Sequence, residues 1–278
     1  MNKNNNILIT GGAGYVGSVV ARHLLRLGYY VRVLDSLLHG GNSLLGLYSD
    51  DKFEFMRGDI RDKEIASQAV LGMDSVVHLA AIVGDPACAR QPDESQSVNL
   101  DASLQMFETA RDHGVDKFVF ASTCSNYGKM TDSTQYVTEE SELRPVSLYA
   151  ENKVAVETSL LSESSQDSVN VTVLRLATAF GLSPRMRFDL TVNEFVRDTY
   201  NKKKIVVYDA DTWRPYCHVK DFARFINIVL ESSSRKTSFQ VFNVGDDKNN
   251  FTKRMLVEKI SKKIKDIKVD FLEHGVDP

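Results

Sequence analysis

Ile7-Leu8-Ile9-Thr10-Gly11-Gly12-Ala13-Gly14-Tyr15-Val16-Gly17, with Asp35 at the end of the next apolar run, decides how this sequence is read. The apolar strand Ile7 to Thr10 runs into glycines spaced three apart. Tyr15 to Leu27 then carries Val16, Val19, Val20, Leu24 and Leu27 at helical spacing. Gly28 ends that helix, and Tyr30 to Leu34 is a second strand that delivers Asp35. Gly11 lets the chain turn sharply off the strand, Gly14 lets backbone approach a pyrophosphate, and Gly17 lets the helix pack close to the sheet. Backbone N–H groups at the positive helix end then face the phosphates, so Tyr15 and Val16 are expected at the cofactor too. Asp35 can accept both hydroxyls of the adenosine ribose and would repel an extra phosphate there, which favours NAD over NADP. Arg32, two residues earlier, is expected to face away.

The same alternation continues along the chain. Phe53 to Met56, Ser75 to Leu79, Lys117 to Ala121 and Val171 to Leu176 read as strands, with helical stretches such as Ser95 to His113 between them. This is an α/β pattern, a doubly wound parallel sheet of the Rossmann type with ligands at the carboxyl ends of its strands. The pattern changes after Gly181. Residues 1–181 are therefore expected to form the NAD-binding unit and 182–278 mainly a smaller substrate-binding lid, with one stretch able to return to the sheet. In that second part Leu190 to Asn201 and Asp221 to Glu231 read as helices, with a strand at Ile205 to Tyr208 between them.

Composition narrows the class. The net charge of −3 and the scattered lysines and arginines exclude a basic nucleic-acid surface. Cys88, Cys124 and Cys217 are odd in number and widely spaced, so neither a disulfide framework nor a metal site is expected. The start, Met1 to Asn6, is polar, and no apolar run reaches membrane-spanning length, so the expectation is a cytoplasmic protein without a membrane partner.

Tyr149 and Lys153 lie four apart, on one face of a helix. An ammonium beside a phenol favours the phenolate, so Lys153 is expected to lower the pKa of Tyr149 and make it a proton carrier. Ser122-Thr123 at the end of the preceding strand strengthens that reading.

From Ile7 to about Gly245 the chain resembles the extended short-chain dehydrogenase/reductases of the NAD-dependent sugar-nucleotide epimerase/dehydratase family. The resemblance rests on T-G-G-A-G-Y-V-G at 10–17, G-D-I-R-D at 58–62, H-L-A-A at 78–81 and V-N at 98–99. F-A-S-T-C-S-N-Y-G at 120–128, Y-A-E-N-K at 149–153, L-R-L-A-T-A-F-G at 174–181 and W-R-P-Y-C-H-V-K-D at 213–221 complete it. It implies that Thr123 bonds the reacting sugar oxygen, that Tyr149 transfers the proton, and that Lys153 bonds the nicotinamide ribose. It places Asp59 and Ile60 beside adenine and Leu79, Ala80 and Ala81 along the cofactor. Asn99 is placed there as well, or serves structure alone. Arg214 would contact a substrate diphosphate, for which a forked guanidinium suits. The resemblance also implies a homodimer. Members usually continue with a further C-terminal stretch beyond the point where this sequence ends, at Pro278.

Departures from the family pattern narrow the chemistry. 4,6-Dehydratases resemble S-T-D-E-V-Y-G at the threonine strand, whereas Cys124 and Ser125 stand at the Asp-Glu positions here. Glucuronate decarboxylases keep that glutamate, and the GDP-fucose synthase group places its cysteine where Ser125 stands. Cys124 is therefore read as a structural cysteine near the site. Thr178 replaces a common pocket asparagine, Asp189 stands near another, and Arg187 lies on a loop expected to cover the substrate. The function expected is NAD-dependent 4-epimerisation of a nucleotide-diphosphate hexose by transient oxidation at carbon 4. The alternative is an NAD(P)H-dependent 4-ketoreductase of an NDP-4-keto-6-deoxy sugar. A non-catalytic NAD(H)-sensing module is disfavoured because both Tyr149 and Lys153 are present.

Overall fold

The computed structural model describes residues 6–128, 136–162 and 169–273. Its strands are β1 Asn6–Thr10, β2 Tyr30–Asp35, β3 Phe53–Arg57, β4 Ser75–His78, β5 Lys117–Thr123, β6 Asn170–Leu176, β7 Thr178–Phe180, β8 Lys204–Tyr208, β9 Trp213–His218, β10 Gln240–Val244, β11 Asn250–Thr252 and β12 Lys268–Leu272. Its helices are α1 Gly17–Arg26, α2 Lys63–Val70, α3 Asp85–Arg90, α4 Pro92–Gln96, α5 Ala102–Asp112, α6 Leu148–Ser162, α7 Thr191–Lys202, α8 Val219–Glu231, α9 Ser234–Thr237 and α10 Lys253–Ser261.

Seven strands form a parallel sheet in the order β10-β6-β5-β4-β1-β2-β3. All four residues of β4 are buried, as are Ile7 to Thr10 of β1. A parallel sheet is covered on both faces, which is why these strands read as unbroken apolar runs. One face packs under α1 and α8, through Val20, Leu24, Phe222 and Ile226. The other packs under α2, α5 and α6, through Val70, Met106, Phe107, Val156 and Leu160. The strand order reverses between β1 and β4. The crevice at their carboxyl ends is where such sheets bind ligands.

Residues beyond 181 divide their packing. α8 and β10 join the main sheet, with β10 paired to β6. Phe195, Ile205, Val207, Tyr216, Leu256 and Val257 form a separate core around the small sheets β11-β9-β7 and β12-β8.

The stretch read as one helix over Ser95 to His113 is broken. A π turn at Ser97–Asp101 separates α4 from α5. The wider turn accompanies a fully buried Asn99 whose amide bonds Ile82 and Ser95, a tertiary demand that periodicity does not register.

Candidate active site

The glycine turn is shaped by close approach. Gly11 has φ +71°, and a methyl group there would sit 2.8 Å from the Ala80 backbone nitrogen. At Gly17 a methyl would collide with the Gly11 carbonyl, whereas at Gly14 it would meet only that carbonyl, at 3.1 Å. Asp35 braces the turn: its carboxylate accepts from the Ala13 amide at 2.9 Å and the Leu37 amide at 2.8 Å. A carboxylate has about four acceptor sites, so capacity for ribose hydroxyls remains. The Tyr15 and Val16 amides meet no backbone or side-chain acceptor among the described residues, leaving donors at the start of α1 for an anion. Arg32 turns away to Glu54, at 2.7 Å, and to the Ala69 and Leu71 carbonyls. This cradle fits a dinucleotide.

Leu79, Ala80 and Ala81 follow β4 beside it, held by bonds from the Leu79 amide to Thr10 O and from the Ala80 amide to Thr10 Oγ1. Asn99 stands behind them, its side chain bonded to both Ile82 N–H and Ile82 O, so it positions this loop. Asp59 is paired with Arg61 at 2.6 Å, and Ile60 is buried in the core.

β5 brings Thr123 to the sheet's carboxyl edge, where its Oγ1 accepts from the Ser125 amide at 3.1 Å. α6 starts where Ser147 accepts from the Ala150 amide, and this places Tyr149 one turn before the buried Lys153. The expected effect of Lys153 on Tyr149 needs correction. The ammonium donates to the Ala121 carbonyl at 2.8 Å and lies 4.5 Å from the Phe120 ring centroid. Burial pushes the half-buried Tyr149 phenol above its ordinary value, and the cation opposing that rise is Arg187. Burial also lowers Lys153, to about 8, against an upward pull from Glu157.

On the other side, Thr178 on β7 pairs with Tyr216 on β9, the strand that carries the exposed Arg214. Cys124 bridges the two halves, with Thr178 as its hydrogen-bond partner and Arg214 within electrostatic reach. Burial raises its thiol, so the thiol is neutral at physiological pH.

The loop after β7 is fastened to the glycine turn. Tyr15 Oη donates to Gly181 O at 2.7 Å and Ser183 Oγ donates to Tyr15 O at 2.7 Å. Asn193 Nδ2 donates to Arg187 O at 3.0 Å and to Tyr15 Oη at 3.2 Å. Arg187 is ion-paired with Asp189 at 2.5 Å, while Arg185 lies within electrostatic reach of Asp35 and His39. Ser183, Asn193 and the approach of Arg185 to Asp35 carry no short-range sequence signal, because each depends on a contact spanning well over a hundred residues.

The glycine turn, the Asp35 carboxylate and the Tyr149–Lys153 helix gather at the carboxyl edge of one parallel sheet, the frame of a Rossmann-type dinucleotide-binding fold. The model of the NAD dependent epimerase/dehydratase family matches residues 7–245, and the chain belongs to that family of NAD-dependent enzymes acting on nucleotide sugars. It is similar to the UDP-glucose 4-epimerase of Corynebacterium glutamicum, 28% identical over 91% of this chain and 78% of that protein. It is equally similar to the dTDP-glucose 4,6-dehydratase of Streptomyces niveus, 29% identical over 92% and 76%. The structure of the Thermus thermophilus UDP-glucose 4-epimerase with NAD superposes with a TM-score of 0.83, at 27% identity, covering 98% of this chain and 88% of that one. No helix among the described residues is long and apolar enough to cross a membrane.

Proposed function

We propose that this chain is a 4-epimerase of a nucleotide-diphosphate hexose. The observation that carries the reading over dehydration is the neutral thiol of Cys124 and the hydroxyl of Ser125 at the end of β5, where elimination needs a carboxyl pair. Asp85, the carboxylate within electrostatic reach of Tyr149, is committed to Ser147 at 2.6 Å.

Bound NAD supplies the hydride acceptor and, on the return step, the donor. Tyr149 Oη takes the proton of the sugar's 4-hydroxyl as that carbon is oxidised, and gives it back when the carbon is reduced from its other face. Thr123 Oγ1 holds the same oxygen, and Lys153 holds the cofactor ribose. Arg187 favours the phenolate that starts the cycle. Thr178, Arg187, Asp189 and Arg214 orient the sugar diphosphate, with Arg214 suited to the phosphates. The enzyme acts as a homodimer in this reading, as the family resemblance implies.

The test is a panel of UDP-, GDP-, CDP- and dTDP-hexoses, followed for the 4-epimer and for net NADH. Epimer formation without net NADH is expected. A 4-keto-6-deoxy product, or stoichiometric use of NAD(P)H, would defeat the assignment. Tyr149→Phe should lose turnover by a factor on the order of 10²–10⁴ while still binding NAD. Near-normal activity in that variant would remove Tyr149 from the chemistry.

A further inference from the structure

Behind the site lies a buried ion pair that none of the chemistry above uses. Glu157 is 1% exposed and Arg175 5% exposed. The guanidinium donates to Glu157 Oε2 through Nη2 at 2.8 Å and through Nε at 3.1 Å. The other carboxylate oxygen, Oε1, accepts from Ser122 Oγ and, at 2.6 Å, from Asn126 Nδ2. Arg175 Nη1 donates to Tyr127 Oη at 2.8 Å and to Glu139 O at 3.0 Å, and Tyr127 Oη donates to Asn243 Oδ1 at 2.7 Å.

The pair joins β5, α6 and β6, and through Tyr127 the same network reaches β10. Ser122 and Asn126 flank Thr123. Glu157 sits on α6 one turn beyond Lys153. Arg175 is on β6, three residues before Thr178, and Asn243 is on β10. We propose that the Glu157–Arg175 pair is the positioning element of this active site: it locks the Thr123 turn against the Tyr149–Lys153 helix and fixes the Glu157 carboxylate one helical turn from the buried Lys153, as the counter-charge of that ammonium. Neither residue is catalytic, because both act through others.

The counter-charge has few competitors. Cys88 on α3 also faces Lys153, and His78 on β4 is held neutral by burial, down to about 3. Arg175 stands behind the Glu157 carboxylate.

The inference rests on the reading of Lys153 as a donor to the cofactor ribose, and the test separates the two. NADH binding is followed by nicotinamide fluorescence from about pH 6 to about pH 10, a range that spans the titration of a lowered lysine. The wild type should lose affinity as pH passes about 8, where Lys153 gives up its proton. In Glu157→Gln that alkaline limb should move down by about one pH unit, because an opposite charge near the ammonium has been removed. The double variant Glu157→Gln/Arg175→Met should show a smaller displacement in the same direction, because it leaves no lone buried guanidinium, and so carries the test if the single variant does not fold. A pair that serves stability alone would lower the melting temperature and leave the limb in place; that result overturns the proposal. A wild type with no alkaline limb would instead remove Lys153 from the ribose, and the inference with it.

Discussion

Replacing Asp35 by alanine separates two roles that the structure gives one carboxylate. It braces the glycine turn through the Ala13 and Leu37 amides, and it is read as the acceptor of both ribose hydroxyls. Hydrogen bonds to an ionised group contribute roughly 1.5–3 kcal/mol each, and a half-buried carboxylate belongs at the low end. Losing two to the ribose removes about 3 kcal/mol, or roughly a hundredfold in NAD affinity. NADP should behave differently. Its extra phosphate is no longer repelled, and Arg185, already within electrostatic reach of Asp35, becomes free to meet it. Isothermal titration of both cofactors into Asp35→Ala should show the preference for NAD falling by at least about tenfold. If both affinities fall by one common factor, Asp35 only braces the turn, and its role in cofactor choice is refuted.

Two further outcomes are expected. Arg187→Gln removes the cation that holds Tyr149 down, so the phenolate should form at higher pH and the acidic limb of kcat should move upward; a pH–rate profile that keeps its acidic limb would dissociate Arg187 from Tyr149. His78 is fully buried between Thr10 and Ser103, and its folded value of about 3 lies below its ordinary 6.5. Between those values the unfolded chain binds a proton that the folded chain refuses. Acidification therefore removes stability at about 1.4 kcal/mol per pH unit, about 2 kcal/mol at pH 5. Urea unfolding of His78→Gln should be correspondingly flatter from pH 6.5 to 5, and equal slopes would contradict the assignment.

The sheet was legible because burial on both faces writes itself into consecutive residues: β1, β2, β4, β5 and β6 are apolar runs, and the glycines mark where β1 meets α1. Asp35, Thr123, Tyr149 and Lys153 stood out as candidates by spacing and by position at strand or helix ends, and the fold brings them to the same edge of the sheet. The short strands β7, β9, β11 and β12 were not, since each is partly exposed and stands on pairing to distant residues. Nor was the direction of Lys153. Helical spacing shows that it shares a face with Tyr149. The Ala121 carbonyl and the Phe120 ring, which claim its ammonium, come from another strand. Burial, which dominates both Tyr149 and Lys153, is a property of the packed fold that no local pattern carries.

Tyr15 joins the glycine turn and the loop after β7 into one body. Its amide is free at the start of α1, while its hydroxyl and carbonyl hold Gly181, Ser183 and Asn193. Ser18 adds a bond to Ser183. Lifting the loop breaks these four bonds, each contributing about 1 kcal/mol net. The open form is then populated on the order of one part in 10³ before the ligand's own contacts are counted. A reductase must exchange its dinucleotide every turnover, and such a strap would slow each exchange. An epimerase returns the hydride to the same sugar and needs no exchange, so the strap costs it nothing. The anchoring of residues 181–193 on the glycine turn thus argues on the same side as Cys124 and Ser125, for a cofactor that stays in place while the sugar turns over it.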